Sequence, residues 1–413
     1  MNFSYKNQTL NAESVAITDL MATYGSPLYV YSRAEIEKNW HTFNDAFSNH
    51  PHLVCFAVKA NSNLAVLNVL AKIGSGFDVV SRGELERVLA AGGQANRCVF
   101  SGVAKATDEI EYALEVGIRC FNVESSSELD RIESIANRLN AQAPISIRVN
   151  PDVDAKTHPY ISTGLKENKF GVDINDAISL YEKANNSKYL DVQGLDCHIG
   201  SQITDVSPFL DALGKVLELI EELKTKGIEI AHLDLGGGIG IKYDNEQTID
   251  VNAYIVSVLE KVGDLEIILE PGRAIVGNAG IFVTQVEFLK QNSEHSFAII
   301  DGAMNDLLRP AFYSAYHQVL PVNENSNGTQ ANWDLVGPIC ETGDFLAKNR
   351  KLSLSEGDYL AIMSAGAYGF TMSSNYNSRP RVAEVIVSGD QHSLVRERET
   401  IQDLFNKEHL MND

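Results

Sequence analysis

The sequence lacks several patterns that would assign it to a secreted, metal-stabilised or membrane protein. Its five cysteines are odd in number, widely spaced and form no CxxC pair, so neither a disulfide framework nor a structural zinc site is expected. No apolar run approaches about 18 residues. The opening stretch MNFSYKNQTLNAESVAITDL has no charged-then-apolar signal pattern. We therefore predict a cytoplasmic protein that binds no structural metal.

Positive charge is also scarce. The chain has 34 Lys and Arg residues against 55 Asp and Glu residues, which gives a formal net charge of -21. This surplus repels phosphate backbones and anionic lipids, so we expect no nucleic-acid partner and no membrane partner. An anionic ligand would need a local cluster of cations. Low-complexity and Pro-rich segments are lacking too, so the chain is expected to fold throughout.

Short apolar runs alternate with helix-patterned segments from about residue 53 onward. Helical patterns such as NLAVLNVLAKIG and TDEIEYALEVG separate the runs. Near-continuous apolar strands between helices predict a parallel sheet that is covered on both faces. The eight runs are LVCFAV (53–58), GFDVV (76–80), RCVF (97–100), IRCFNV (118–123), ISIRV (145–149), VQGLDC (192–197), IAHLDL (230–235) and LEIIL (265–269).

Eight strand–helix units predict an α/β fold, a (β/α)₈ barrel of the TIM type over residues 31–275. After about residue 275 the pattern changes to turn-separated strands such as GIFVTQVEFLKQ and RPRVAEVIVSGD. These predict a second, mainly antiparallel β-barrel or sandwich domain over residues 276–413. Residues 1–30 precede the barrel and are expected to belong to this second domain.

Polar residues follow the predicted barrel strands at the end where such barrels carry their active sites. Lys59 follows the first strand, His198 the sixth, Gly236–Gly238 the seventh and Glu270 the eighth. Each has an ordinary alternative: a lysine at a strand end often reaches into water, and a glycine run is often only a tight turn. Their common position on one rim favours a shared function.

The combination predicts pyridoxal phosphate as the cofactor. A partly buried lysine is a nucleophilic amine that forms an imine with an aldehyde, which assigns that role to Lys59. The loops after strands seven and eight are where barrels bind phosphate, and Gly237, Gly238 and Gly272 allow close approach of the main chain. Glu270 would hydrogen-bond the ring nitrogen and keep it protonated.

Several stretches spread over nearly the whole length are distinctive. They are FAVKANSNLAVLNVLAKIGSGFDVVSRGEL, THPYISTGLKENKFGV, HIGSQI, LDLGGGIG, EPGRAIVGNAG, RPAFYSAYH, GPICETGDFLAK and GAYGFTMSSNYNSRP. On these stretches the chain resembles the diaminopimelate decarboxylase family, of the alanine-racemase-like (fold type III) pyridoxal phosphate decarboxylases. One departure is Phe56, where the family often has Tyr.

The resemblance implies a role for each matching residue, in the decarboxylation of meso-2,6-diaminopimelate to L-lysine by a homodimer with shared active sites. The catalytic residues would be Lys59 and Cys340, the latter reprotonating the product from the partner subunit. The cofactor would be bound by Lys59, His198, Ser201, Gly236, Gly237, Gly238, Glu270, Gly272, Arg273 and Tyr368. The substrate would be bound by Arg273, Arg309, Tyr313, Glu341 and Tyr368.

Two alternatives remain at this point. Decarboxylases of ornithine, arginine or carboxynorspermidine share the lysine, glycine and EPGR elements, but they usually carry Asp after the second-domain cysteine, where this chain has Glu341 in CETGD. The second alternative is a catalytically silent homologue that only binds the cofactor. It would have little use for a proton donor such as Cys340.

Overall fold

The structure is a computed structural model that describes residues 2–154 and 169–411. Most of the THPYISTGLKENKFGV stretch therefore lies outside the described residues. The chain divides into two compact units. The barrel unit comprises Glu37–Ile241 and Gln247–Ile275, and the β unit comprises Met1–Ile36, Lys242–Glu246 and Val276–Asp413.

The described residues form strands of two to twelve residues. In chain order they are β1 (Phe3–Lys6), β2 (Thr9–Ala12), β3 (Val15–Ala16), β4 (Leu28–Ser32), β5 (His52–Ala57), β6 (Gly76–Val79), β7 (Cys98–Phe100), β8 (Cys120–Val123), β9 (Ala143–Asn150), β10 (Val172–Asp173), β11 (Leu190–Asp196), β12 (His232–Asp234), β13 (Glu266–Leu269), β14 (Gly280–Gln291), β15 (Ser296–Ile300), β16 (Val319–Pro321), β17 (Thr329–Val336), β18 (Phe345–Leu354), β19 (Tyr359–Ile362), β20 (Ala383–Ser388) and β21 (Gln391–Arg396).

The α-helices of the described residues range from short turns at strand ends to the long helix after β11. In chain order they are α1 (Ile17–Tyr24), α2 (Arg33–Asn44), α3 (Leu64–Lys72), α4 (Arg82–Ala90), α5 (Thr107–Val116), α6 (Ser126–Leu139), α7 (Ile174–Asn185), α8 (Ser207–Thr225), α9 (Val251–Val262), α10 (Arg273–Val276) and α11 (Arg309–Tyr313).

The barrel unit contains a closed parallel barrel of eight strands. Their order is β5-β6-β7-β8-β9-β11-β12-β13, and β13 pairs with β5 to close the ring. The short strand β10 pairs with the end of β9. Each of the eight predicted apolar runs overlaps one of these strands, so the predicted (β/α)₈ barrel is confirmed. The strands are apolar because the barrel core and the helices cover both of their faces.

Capping side chains start several of the helices that follow barrel strands. The Asn63 side chain accepts the Ala65 N–H at the start of α3, and Ser81 accepts the Glu84 N–H at the start of α4. Each cap of this kind stabilises a helix by about 1 kcal/mol. Ser81 lies at a strand end like the candidate site residues, and the structure gives it this capping role.

The β unit is a mainly antiparallel sheet, as predicted from the change of pattern after residue 275. Its strand order is β18-β17-β15-β14-β4-β20-β21, with β19 pairing to β14 and β16 to β19. β4, from the N-terminal part of the chain, lies between β14 and β20. A small three-stranded sheet of β1, β2 and β3 packs with α1 against the same apolar core. Among the described helices, none combines the length and apolar character that crossing a bilayer requires.

Candidate active site

Lys59 lies at the carboxyl end of the first barrel strand. β5 ends at Ala57, and a single 3-10 turn, Val58–Ala60, carries the lysine. Lys59 Nζ lies 2.5 Å from Asp78 Oδ2 on the neighbouring strand β6. The Lys59 side chain is 38% exposed, whereas that of Asp78 is 0% exposed. A buried carboxylate therefore holds the amine at the rim of the barrel, where part of the lysine remains accessible.

The glycine loop Gly236–Gly238 follows β12. Its backbone has φ of +64° at Gly236 and +102° at Gly238, a conformation that residues with a Cβ rarely adopt. A Cβ on Gly237 would lie 2.2 Å from the carbonyl oxygen of Glu270. The loop after β12 can thus pack against the loop after β13 only because these positions are glycine, and it presents main chain to a ligand.

His198 packs on this glycine loop. The Gly237 N–H donates to His198 Nδ1 at 3.1 Å, and a Cβ on Gly236 would lie 2.6 Å from the same nitrogen. A ring nitrogen that accepts a hydrogen bond carries no proton, so the ring proton is on Nε2. Burial lowers the pKa of His198 well below its ordinary value, and the charges of Arg148 and Lys59 lower it further. The imidazole is therefore neutral at neutral pH.

Glu270 follows β13 directly and belongs to a buried group of three carboxyls. One oxygen each of Asp196, Asp234 and Glu270 lie within 4.8 Å of one another. Burial and the Asp234 charge raise the pKa values of Glu270 and Asp196 well above their ordinary values. Burial raises the pKa of Asp234 to about 6, although the Gly236 N–H opposes this rise. Like charges this close do not all ionise, so the group holds protons at neutral pH.

Asp78, Asp196 and Asp234 were not among the residues predicted from the sequence. Each interrupts an apolar strand run, in GFDVV, VQGLDC and IAHLDL, rather than following it. An acid at such a position is the available signal, because a buried carboxylate needs a partner. Arg148 of β9 is one such partner, and its guanidinium contacts Asp196 at 3.7 Å.

The three buried carboxyls predict that the stability of the cofactor-free protein depends on pH. A carboxyl with a raised folded pKa contributes stability that is fully present below its unfolded pKa of about 4. That stability is lost as the pH rises through the folded pKa, which is about 6 for Asp234 and is raised well above the ordinary value for Glu270 and Asp196. The free energy of unfolding should thus fall by up to about 1.4 kcal/mol per pH unit for each proton lost. Asp234→Asn should flatten this slope.

Urea denaturation of the cofactor-free protein at several pH values above the sequence pI of about 4.9 measures the slope. Asp191→Asn is the matched control, because Asp191 lies on β11 but is exposed to solvent. It should keep the wild-type slope. Elemental analysis of the protein sample should show that it contains no divalent cation, because a cation bound by the three carboxyls would keep them ionised. A slope that is unchanged in Asp234→Asn would contradict the proton assignment.

The EPGR segment packs against the lysine turn and toward the loop after β11. A Cβ on Gly272 would lie 3.0 Å from the Cβ atoms of Ala57 and Ala60, so glycine permits this close approach. Arg273 is buried, and its NH2 donates to Ser201 Oγ at 3.0 Å. The structure therefore brings together the predicted cofactor residues of the barrel unit, namely Lys59, His198, Ser201, Gly236–Gly238, Glu270, Gly272 and Arg273.

Arg309 is a buried cation of the β unit. It starts α11, its NH1 donates to His317 Nε2 at 2.8 Å, and its guanidinium lies 4.6 Å from the Tyr243 ring centroid. His317 Nδ1 in turn donates to the Met363 carbonyl oxygen. This chain of contacts fixes the guanidinium in one orientation, as a carboxylate-binding arginine requires.

The remaining predicted residues lie on loops of the β unit. Cys340 and Glu341 are exposed, and Tyr313 ends α11 half-buried. Tyr368 is also half-buried and has φ of +55°, an unfavourable conformation for a residue with a side chain. Strained backbone of this kind is concentrated at functional sites.

The barrel rim fits pyridoxal phosphate by the chemistry of its donors. An accessible amine at Lys59 suits the aldehyde, and the glycine loop and Arg273 suit the phosphate. The buried Glu270 carboxyl suits a protonated ring nitrogen, with which it would share the proton. Together with the barrel fold, these groups define a pyridoxal phosphate-dependent enzyme.

Comparison with known proteins narrows this class. A family model described as pyridoxal-dependent decarboxylase, pyridoxal binding domain, matches residues 33–277. Diaminopimelate decarboxylase of Haemophilus influenzae is 57% identical over 406 residues, which cover 98% of both chains. The enzyme of that name from Aquifex aeolicus is 48% identical over 96% of this chain and 94% of the relative. The chain belongs to the diaminopimelate decarboxylase family.

Solved structures support the same family assignment. Diaminopimelate decarboxylase from Helicobacter pylori, complexed with L-lysine, superposes with a TM-score of 0.90 at 44% identity and covers 94% of this chain and 98% of that one. The enzyme from M. jannaschii, in co-complex with L-lysine, has a TM-score of 0.94 at 38% identity, with 99% and 98% covered. A lysine/ornithine decarboxylase from Vibrio vulnificus is 21% identical, with a TM-score of 0.79 over 90% of this chain and 97% of that one, and shares the fold.

Proposed function

We propose that this protein decarboxylates meso-2,6-diaminopimelate to L-lysine and carbon dioxide, using pyridoxal phosphate. The observation that supports this substrate is the 57% identity to diaminopimelate decarboxylase over 98% of both chains. Two related structures are complexes with L-lysine, which is the molecule that this reaction releases. The proposal includes a place in lysine biosynthesis.

The barrel unit, residues 31–275 in our domain proposal, binds the cofactor. Lys59 holds it covalently through its amine, and Asp78 orients that amine. The neutral ring of His198 would pack beside the cofactor ring without adding charge. Gly236–Gly238 and Gly272 would hold the phosphate, and Glu270 would meet the ring nitrogen. The cofactor supplies delocalisation of the electron pair that remains when carbon dioxide leaves.

The β unit, proposed to comprise residues 1–30 and 276–413, recognises the substrate. Diaminopimelate carries two carboxylates, and an arginine binds a carboxylate through two parallel hydrogen bonds. Arg273 of the barrel unit, with Arg309 and Tyr313, is assigned to these groups. Glu341 is assigned to the distal ammonium group, and Tyr368 to both phosphate and substrate. Cys340 delivers the proton that replaces the lost carboxylate.

A homodimer with shared sites is part of this proposal. Cys340 and Glu341 are exposed on the chain, although a proton donor needs a site from which water is excluded. The large aromatic side chains of Phe312, Tyr316 and Tyr376 are exposed as well, and aromatic residues are enriched at interfaces. A partner subunit that covers this surface explains both observations. All five cysteines are free, which suits the reducing cytoplasm.

Incubation of the purified protein with meso-diaminopimelate, with and without added pyridoxal phosphate, tests the proposal. We expect lysine to appear only when the cofactor is bound. Release of carbon dioxide from ornithine, arginine or carboxynorspermidine without lysine formation would assign another substrate. Cofactor binding without turnover of any of these amino acids would identify a silent homologue.

A further inference from the structure

The loop that carries Cys340 and Glu341 is fixed at both ends by one buried aspartate. Asp344 accepts the N–H of Ile339 on one carboxylate oxygen at 2.9 Å and the N–H of Met304 on the other at 2.7 Å. Within the loop the Asp344 N–H donates to the Glu341 carbonyl oxygen at 3.1 Å. The ends of the loop are therefore rigid, but these bonds leave the exposed side chains of its middle undirected.

A second segment, the turn Tyr376–Ser378, has an unusual backbone. Asn377 has φ of +55° and Ser378 has φ of +54°, so two successive residues with side chains are in the left-handed region. This conformation is uncommon for residues other than glycine, and for Ser378 it persists only where the surroundings impose it. An imposed strain of this kind suggests that the turn has a function.

The surroundings do impose it. Asn305 binds the chain before the turn through a pair of hydrogen bonds with the Ser374 backbone, at 2.9 and 3.2 Å. After the turn, Arg379 donates to the Asp301 carbonyl oxygen at 2.6 Å, and its carbonyl oxygen accepts from Asn375. The turn is thus held on the β unit from both sides.

The turn contacts the middle of the loop with consecutive residues. Asn377 Oδ1 accepts the N–H of Cys340 at 2.8 Å, and the Tyr376 hydroxyl donates to Glu341 Oε1. The bond to Glu341 raises the pKa of Tyr376, which keeps the phenol protonated as the donor. Each of the two proposed functional residues therefore has its own partner in the turn.

We propose that Asn377 and Tyr376 are positioning residues, which direct the Cys340 thiol and the Glu341 carboxylate toward the substrate. This inference rests on the proposed function for the roles of Cys340 and Glu341. Asn377 fixes the backbone from which the thiol projects. Tyr376 occupies one carboxylate oxygen of Glu341 and leaves the other to the substrate's ammonium group. The unusual backbone of the turn is then explained by its two contacts, which orient two side chains of the same loop.

Alkylation of Cys340 tests the first contact without requiring activity. Of the five cysteines, all within the described residues, Cys340 is the exposed one and the other four are buried. Iodoacetamide is smaller than diaminopimelate, so in the proposed dimer it should reach Cys340 by the route that the substrate takes. It should therefore label the intact holoenzyme at Cys340, as peptide mapping can verify. Asn377→Gly keeps a residue that adopts positive φ but removes the acceptor, so the loop gains freedom. We expect alkylation to accelerate about 2- to 10-fold, the effect of losing one hydrogen bond.

Ser378→Gly is the matched control, because it relieves the same backbone strain one residue away and removes no hydrogen bond to Cys340. Its alkylation rate should equal that of the wild type. Equal rates in Asn377→Gly and Ser378→Gly would overturn the role of Asn377. Circular dichroism and thermal melts of both variants would confirm that they are folded, and Asn377→Asp, which retains an acceptor oxygen, should remain closer to the wild type.

Tyr376→Phe tests the second contact through a separation of KM and kcat. Loss of the hydroxyl should raise KM for diaminopimelate about 2- to 10-fold, with kcat nearly unchanged and Cys340 alkylation unaffected. In a Glu341→Ala background the same change should have no further effect on KM, because the oxygen that accepts from the Tyr376 hydroxyl is already absent. Additive effects would overturn the role of Tyr376.

Failure of this inference and failure of the proposed function can be told apart. A protein that makes no lysine from diaminopimelate, yet shows faster alkylation in Asn377→Gly than in Ser378→Gly, retains the positioning role and loses the assigned substrate. A protein that makes lysine but shows equal alkylation rates retains the substrate and loses the positioning role.

Discussion

Lys59→Ala should abolish covalent attachment of pyridoxal phosphate and reduce the rate of lysine formation by more than about 10³-fold, since both the nucleophilic amine and its positioning are lost. The expectation follows from the place of the amine at the carboxyl end of β5, against Asp78 Oδ2 at 2.5 Å. Borohydride reduction of the holoenzyme, followed by peptide mass mapping, measures the attachment directly. In the wild type the label should be found on Lys59.

Two further variants separate chemistry from folding. Lys59→Ala leaves the buried Asp78 carboxylate without its cation, which costs about 1–3 kcal/mol of stability. Lys59→Arg retains a cation for Asp78 but cannot form the covalent bond, so it should be more stable than Lys59→Ala and equally inactive. Lys72→Ala, an exposed lysine on α3, should behave as the wild type. Labelled cofactor trapped on the Lys59→Ala protein would refute the assignment.

Cys340→Ala should lower kcat about 10²- to 10⁴-fold, the range for loss of a positioned proton donor. The cofactor should stay bound with its visible absorbance unchanged, because Cys340 is assigned no contact with the cofactor. Cys197→Ala is a suitable comparison, since that thiol is buried and burial raises its pKa well above the ordinary value. It should retain most activity. Turnover at the wild-type rate in Cys340→Ala would contradict the assigned role.

Mixing the two inactive variants tests whether sites are shared between subunits. If each site combines Lys59 of one subunit with Cys340 of the other, random exchange of Lys59→Ala and Cys340→Ala subunits makes half of the dimers mixed, each with one intact site. About a quarter of the wild-type activity should return. No recovery, after subunit exchange has been verified by mass spectrometry of the dimers, would indicate a site that lies within one chain.

The barrel was predictable because its strands are covered on both faces. Their sequences are therefore nearly continuous apolar runs, each about as long as a strand. The residues that follow the runs, such as Lys59 and Glu270, were predictable by the same reasoning, since barrels carry their active sites at that end. Boundaries were less accurate: β5 ends at Ala57, one residue before the predicted end.

Contacts between distant parts of the chain could not be predicted from strand ends. Asp78, Asp196 and Asp234 lie within runs, and only the closed ring brings two of them together with Glu270. The bond from Cys340 N–H to Asn377 Oδ1 joins residues 37 positions apart through a turn in which Asn377 and Ser378 both have positive φ, which the local sequence does not specify. Such features depend on tertiary structure that overrides local preference.

The position of β4 has a consequence for synthesis of the chain. β4 is made among the first residues, yet its partners β14 and β20 begin at Gly280 and Ala383. Until those segments have been synthesised, both edges of the apolar strand β4 remain unpaired on the nascent chain. Unpaired strand edges promote aggregation. Chains that stop before β20 should therefore be insoluble or degraded even when the whole barrel has been made. Dependence on chaperones should be greatest while the chain between β4 and β20 is being synthesised.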